Sequence, residues 1–306
     1  MAEENLSASR SALQRMRGGI ALAARRAYKP DMRHLLTLFL IVACSSSSPK
    51  QTPTTGTSSP SSTGPLTEAQ FKALHELPTA GPATRKGQQI ELANGSKAYL
   101  SLPAGTGPFP GIVMIHEWWG KNANIEHWAD RLASAGWAAL AVDLYSGTVA
   151  TDRDTAMAAM KAVDDTKAMA TIRAGLDFLA NDARVKAPVK AVIGWCFGGG
   201  WSLRTALAQP DLQGAIIYYG HLETDPAKLG AIKAKLLGVF GNKDTGIPPA
   251  EVDKFEAALK QAGVTATIHR YDADHAFANP SNPKYDEQNA SDAWTQVLAF
   301  LDGLRR

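Results

Sequence analysis

Cys196 stands in the run Ala191-Val192-Ile193-Gly194-Trp195-Cys196-Phe197-Gly198-Gly199-Gly200, where an apolar segment stops and glycines follow. A sulfur on a sharp strand-to-helix turn is presented outward on strained backbone. Neighbours two positions away must then lack a Cβ to avoid collision. Gly194 and Gly198 meet that need. The helix that opens beyond favours an anionic sulfur, and the Phe197 amide is aimed at charge developing on an attacked carbonyl. This is the nucleophile-elbow pattern, with cysteine in serine's usual place.

Such a nucleophile needs a base and a group that orients the base. His275 lies in Tyr271-Asp272-Ala273-Asp274-His275-Ala276-Phe277, and Asp244 closes Phe240-Gly241-Asn242-Lys243-Asp244. Nucleophile, acid, histidine is the chain order that goes with an elbow of this kind. Asp274 is the rival orienter, but an adjacent side chain rarely reaches its neighbour's ring in the needed geometry, so Asp244 is preferred. A second oxyanion amide is expected within Ile115-His116-Glu117-Trp118-Trp119-Gly120. His116-Glu117 does not begin a zinc motif, because Gly120 fills the position of the second histidine.

These residues need a frame. Residues 89–92 and 98–102 flank Asn94-Gly95 and read as a hairpin. Apolar runs follow at Gly111–Ile115, Ala138–Leu144, Lys190–Trp195, Ala215–Tyr219, Lys235–Phe240 and Ala266–Tyr271. Helical stretches are expected over 124–135, 152–182 with a break, 198–208, 250–262 and 287–303. Continuous apolar strands separated by helices imply an α/β fold, a mostly parallel central sheet with helices on both faces. Asp143, Cys196, Asp244 and His275 fall at or just past the C-terminal ends of those strands, where ligands bind in open α/β sheets.

The 306 residues, 45% hydrophobic and 20% charged, have the composition of a globular chain. The net charge of +3 comes from the N-terminal portion, since 67–306 holds 24 basic and 26 acidic residues. A nucleic-acid footprint on the folded part is not supported. Two cysteines exclude a disulfide framework. Met32-Arg33-His34 precedes the apolar run Leu35–Ala43, which is too short to span a bilayer and reads as an export signal. Its end, Ile41-Val42-Ala43-Cys44, resembles a bacterial lipobox, which implies acylation of Cys44 and a lipid anchor on the periplasmic side of a membrane. The expected division is a doubtful extension over 1–31, a signal over 32–44, a Ser/Thr/Pro-rich linker over 45–66 and one catalytic domain over 67–306.

Taken together, His116-Glu117-Trp118-Trp119-Gly120, Asp143-Leu144-Tyr145, Gly194-x-Cys196-x-Gly198-Gly199, Asp244 and His275-Ala276-Phe277 resemble the dienelactone hydrolase family across 88–303. The resemblance implies an α/β-hydrolase fold and cleavage of carboxylic esters or lactones through a thioester. Cys196 would be the nucleophile, His275 the base and later the acid, and Asp244 its orienter. The Trp118 and Phe197 amides would form the oxyanion hole. Glu117 matches the family glutamate that helps ionise the thiol as substrate arrives. The family arginine four residues after the histidine, which contacts the substrate carboxylate, is Asn279 here, and Arg153 is the one candidate for the second arginine. Tyr145, Trp195, Phe277 and Asn279 are expected around the pocket with Trp118, Trp119 and Phe197. A small-molecule ester or lactone, no metal or organic cofactor and a monomeric chain are expected. The alternative, motivated by Asn279, is a tethered binding module with vestigial catalysis.

Overall fold

Runs of valine, isoleucine, leucine and alanine pair into one eight-stranded sheet in the computed structural model, which describes residues 64–75 and 85–306. The extension, the signal with Cys44 and nearly all of the linker lie outside the described residues. The strands are β1 (Gln88–Glu91), β2 (Lys97–Ser101), β3 (Gly111–Ile115), β4 (Ala138–Val142), β5 (Lys190–Trp195), β6 (Gly214–Tyr218), β7 (Lys235–Gly241) and β8 (Ala266–Tyr271). Their spatial order is β1-β2-β4-β3-β5-β6-β7-β8. β1 and β2 form the expected hairpin, with Gly95 at φ 81, and β2 pairs antiparallel to β4; every other pairing is parallel.

The helices are α1 (Glu68–His75), α2 (Ala123–Ser134), α3 (Arg153–Lys161), α4 (Asp165–Asn181), α5 (Phe197–Ala208), α6 (Pro226–Leu229), α7 (Pro249–Ala262) and α8 (Glu287–Leu304). Strand parity splits the core into two layers. Val113, Val192 and Ile217 face one layer with Ile172 of α4, Leu203 of α5 and Phe255 of α7. Ile112, Ile193 and Ile216 face the other with Phe71 of α1, Leu132 of α2 and Val297 of α8. Because both faces of the central strands are covered, they read as unbroken apolar runs.

Several boundaries differ from expectation for identifiable reasons. β4 stops at Val142 rather than Leu144, because the Asp143 carboxylate accepts from the amides of Tyr145 (2.8 Å) and Gly147 (2.5 Å) and turns the chain. β6 stops at Tyr218, since Tyr219 takes φ 36. The break within 152–182 falls between α3 and α4, where Asp164 caps α4 through the Lys167 amide. α1 and α6 were not expected. α1 is anchored by a buried ion pair: Arg131 Nη2 lies 2.7 Å from Glu68 Oε2, and Tyr285 donates to Glu68 Oε1 at 2.6 Å. The Arg131 guanidinium sits 4.3 Å from the Phe71 ring centre and 4.0 Å from that of Trp294.

Candidate active site

The turn from β5 into α5 places Cys196 at φ 54 and ψ −115, a left-handed conformation that L-residues rarely hold. Two glycines let it exist. A Cβ on Gly194 would fall within the carbonyl of Gly198, and one on Gly198 would fall within the carbonyl of Ile115 at the end of β3. The Cys196 amide is tied to the Tyr218 carbonyl at 3.0 Å, which fixes the turn against β6. Phe197 is the first residue of α5, so its N–H has no acceptor within the helix.

His275 follows β8 and Asp244 follows β7. Their side chains meet, His275 Nδ1 to Asp244 Oδ2, at 2.6 Å. Asp244 is nearly fully buried, and its other oxygen accepts from the amides of Gly246 (2.7 Å) and Ile247 (3.0 Å). Asp274, the rival orienter, turns outward and pairs with Lys284 at 2.6 Å. Cys196 and His275 border the same two clefts. Burial opposes a charge on this ring, but the bond to Asp244 and the neighbouring Cys196 outweigh it and push His275 up to about 10. The structure thus brings Asp244 and His275 into direct contact and sets Cys196 with His275 on the same two clefts.

Glu117 lies beyond the end of β3, buried beside these residues. Its Oε2 accepts from Asn279 Nδ2 at 2.6 Å, while Oε1 is buried with no hydrogen-bond partner. Burial raises its pKa to about 7, against the opposing pull of the Asn279 amide and the His275 charge. His116 pins the same turn from behind. Its Nε2 accepts from the Leu144 amide at 3.2 Å, so Nδ1 carries the proton and donates to the Glu117 carbonyl at 2.7 Å. Burial drives His116 down to about 4, which keeps the ring neutral and this tautomer in place. The Trp119 carbonyl accepts from the Ala150 amide at 2.9 Å, closing the turn that carries the Trp118 amide.

A carboxyl that binds its proton more tightly when folded makes the protein more stable at low pH. That contribution is complete below about 4.5 and is lost as pH rises through about 7. Glu117→Gln is therefore expected to flatten this part of the profile. Thermal midpoints measured from pH 4 to 8 should converge at pH 4 and separate by a few degrees at pH 8, with the variant higher.

A cleft of about 510 Å³ opens over Cys196 and His275, walled by Glu117, Trp118, Trp119, Arg153 and Lys284. A second, of about 410 Å³, reaches the same two residues from the other side. Trp195 and Phe277 require correction as pocket residues. Trp195 shares a strand face with Ile193 and packs 4.7 Å from Trp128, and Phe277 is fully enclosed against Tyr219 and Tyr271. Tyr145 lies behind His116 and Phe197 and lines neither cleft. Asn279 also lines neither, and instead holds Glu117 from beneath.

Tyr219 escaped the sequence reading. Its ring centre lies 5.0 Å from that of His275, and its buried hydroxyl has no hydrogen-bond partner. Burial, reinforced by Glu117, pushes that phenol well above its usual range, so it stays protonated. Among the described residues, no group of three or more His, Cys, Asp or Glu side chains is arranged to hold a metal ion.

A family model described as "Dienelactone hydrolase family" matches residues 96–304. "Protein usf" of Aquifex pyrophilus is 33% identical over 228 residues, which is 70% of this chain and 97% of that protein. A protein of Escherichia coli (strain K12) named "Putative carboxymethylenebutenolidase" is 30% identical, over 67% of this chain and 81% of its own. Among solved structures, that of a "Putative Dienelactone Hydrolase" from Klebsiella pneumoniae superposes with a TM-score of 0.65 at 28% identity. It covers 70% of this chain and 96% of that one.

Proposed function

The chain belongs to the dienelactone hydrolase family, and on that footing we propose that it cleaves carboxylic ester or lactone bonds through a thioester on Cys196. The observation that carries this is the 2.6 Å contact between Asp244 and His275, with His275 bordering the same clefts as a sulfur on a strained elbow. In the proposed sequence the Cys196 sulfur adds to the carbonyl carbon while the Trp118 and Phe197 amides hold the oxyanion. The carbon–oxygen bond to the leaving group then breaks, and His275 gives that oxygen its proton. Water, deprotonated by His275, next attacks the thioester, and the acid leaves as the sulfur returns. Glu117, poised near neutrality, takes the thiol proton as substrate displaces water and returns it to the sulfur once the acid has left. A desolvated carboxylate is basic enough for that transfer.

The neutral Asn279 changes what the pocket offers a substrate carboxylate. Where a guanidinium would compete for both Glu117 and the ligand, the Asn279 amide is used up on the protein, donating to Glu117 and accepting from the Ser281 amide. Of the two cations at this cleft, Lys284 is paired with Asp274, and Arg153 lies 5.8 Å over the Trp118 ring. Arg153→Ala is expected to raise KM for an anionic ester such as vinyl monosuccinate by about tenfold or more, leaving kcat and the neutral vinyl acetate unaffected. Initial rates on the two substrates check this.

The decisive experiment is to quench the enzyme during turnover of an activated ester and weigh its peptides. An acyl increment on the peptide holding Cys196, absent when that residue is alanine, is the expected result. An increment elsewhere, or none under conditions of rapid turnover, defeats the proposal. For the N-terminal portion we propose export and acylation at Cys44. Cys44→Ala should move the protein from the membrane fraction to the soluble one.

A further inference from the structure

Among the described residues, two clefts converge on the reactive centre. Both are bordered by Cys196 and His275, but their other walls differ in kind. The first carries two cations, Arg153 and Lys284, beside its tryptophans. The second runs between the α3–α4 junction and α5, and its walls include Met160, Val163, Trp201, Tyr219 and Ile247. Apart from the His275 it shares with the first cleft, its one guanidinium among the described residues is Arg204, and that charge is already committed. The Arg204 guanidinium lies 3.8 Å from the Trp201 ring centre and is clamped in a two-bond pair with Asp165, at 2.6 and 3.1 Å. Held against the indole and neutralised by Asp165, it forms a fixed flat wall and not a free anion receptor.

We propose that this second cleft is a substrate subsite for an apolar, aromatic-sized group. The natural substrate is then a two-armed ester that places one arm on each side of the scissile carbonyl. The inference rests on the assignment of Cys196 as the attacking residue and adds the substrate class to it. Geometry supports it in two ways. An ester carbonyl at Cys196 has substituents leaving in two directions, and a small lactone, whose arms close into a ring, would leave one cleft empty. Size agrees as well: an apolar cavity of about 150 Å³ already accepts a benzene ring, and this cleft offers about 410 Å³. Apolar and aromatic walls with few polar groups are what bind such a ligand.

The test compares vinyl benzoate with vinyl acetate. Both release the same enol, which becomes acetaldehyde and is read by a coupled reductase. Each rate is divided by that of the same ester with hydroxide, which removes the lower intrinsic reactivity of the conjugated benzoyl carbonyl and leaves the contribution of the ring. Wild type is expected to show about tenfold higher normalised kcat/KM on the benzoate, expressed mainly in KM, the gain of one well-placed aromatic contact. Val163→Trp fills the cleft and should abolish the preference. Arg204→Ala removes the flat wall and should cut it severalfold, with rates on vinyl acetate unchanged in both variants. Arg204 is solvent-exposed on α5, so its variant tests the subsite without repacking the interior. Equal normalised rates on the two esters, or a preference untouched by both substitutions, would overturn the subsite and leave ester cleavage standing. Failure to cleave either ester would bring down the underlying assignment instead.

Discussion

Cys196→Ala is expected to lower kcat/KM on an activated ester such as p-nitrophenyl acetate by at least about 10⁴-fold while leaving the fold intact. The size follows from the role: a residue that forms the covalent intermediate has no substitute among its neighbours, and only the oxyanion donors and binding remain. Alanine keeps the backbone requirement of the elbow unchanged, since both residues carry a Cβ at φ 54. Thermal midpoint and circular dichroism should therefore match wild type. A variant retaining a tenth or more of the activity would show that hydrolysis proceeds without the thiol, and that the Asp244–His275 pair serves something else. The binding-module alternative is judged by the same measurement, because it requires a wild-type rate no higher than that of the alanine variant.

Gly198→Ala carries the largest expected effect on stability. Its methyl would meet the carbonyls of Ile115 and His116, which are backbone groups at the C-terminal end of the central strand β3 and cannot rotate away. Relief requires lifting α5 off the end of β3, which also displaces the Phe197 amide. Overpacking of this kind against a rigid frame costs about 3 kcal/mol or more, a large share of the roughly 5–15 kcal/mol that holds a domain together. The expected outcome is a protein that is largely insoluble, or whose melting point falls by ten degrees or more. Gly303→Ala, near the end of α8 with open space around it, is the matched control and should be neutral or slightly stabilising. Equal behaviour of the two variants would refute the steric account of the elbow.

Much of this molecule was legible because its chemistry sits where local punctuation is strongest. Glycines around Cys196 and the abrupt ends of β7 and β8 announce positions that need no knowledge of distant contacts. The hairpin at Asn94-Gly95 is of the same type. What escaped was decided by packing between remote elements. α1 has eight residues and little helical drive of its own; it is held by Glu68 and Phe71 against residues more than fifty positions away. The Trp201–Arg204 wall exists because α4 supplies Asp165 to α5, a juxtaposition no short motif encodes. Trp195 is different, for parity could have placed it. It sits two residues after Ile193 on the same strand and therefore faces the interior layer, not the cleft above the elbow. Aromatic residues near a nucleophile in sequence were read as near it in space, and strand alternation overrules that reading.

The guanidinium of Arg131 has a practical bearing on how this protein is handled. A recombinant version trimmed to the family-matched stretch, 96–304, would discard Glu68 and Phe71. It would strand a positive charge in an oily interior with two of its nitrogens already lacking acceptors. Losing one member of an enclosed ion pair costs about 3–5 kcal/mol. Anyone shortening the chain should therefore cut ahead of residue 64, or expect inclusion bodies that say nothing about catalysis.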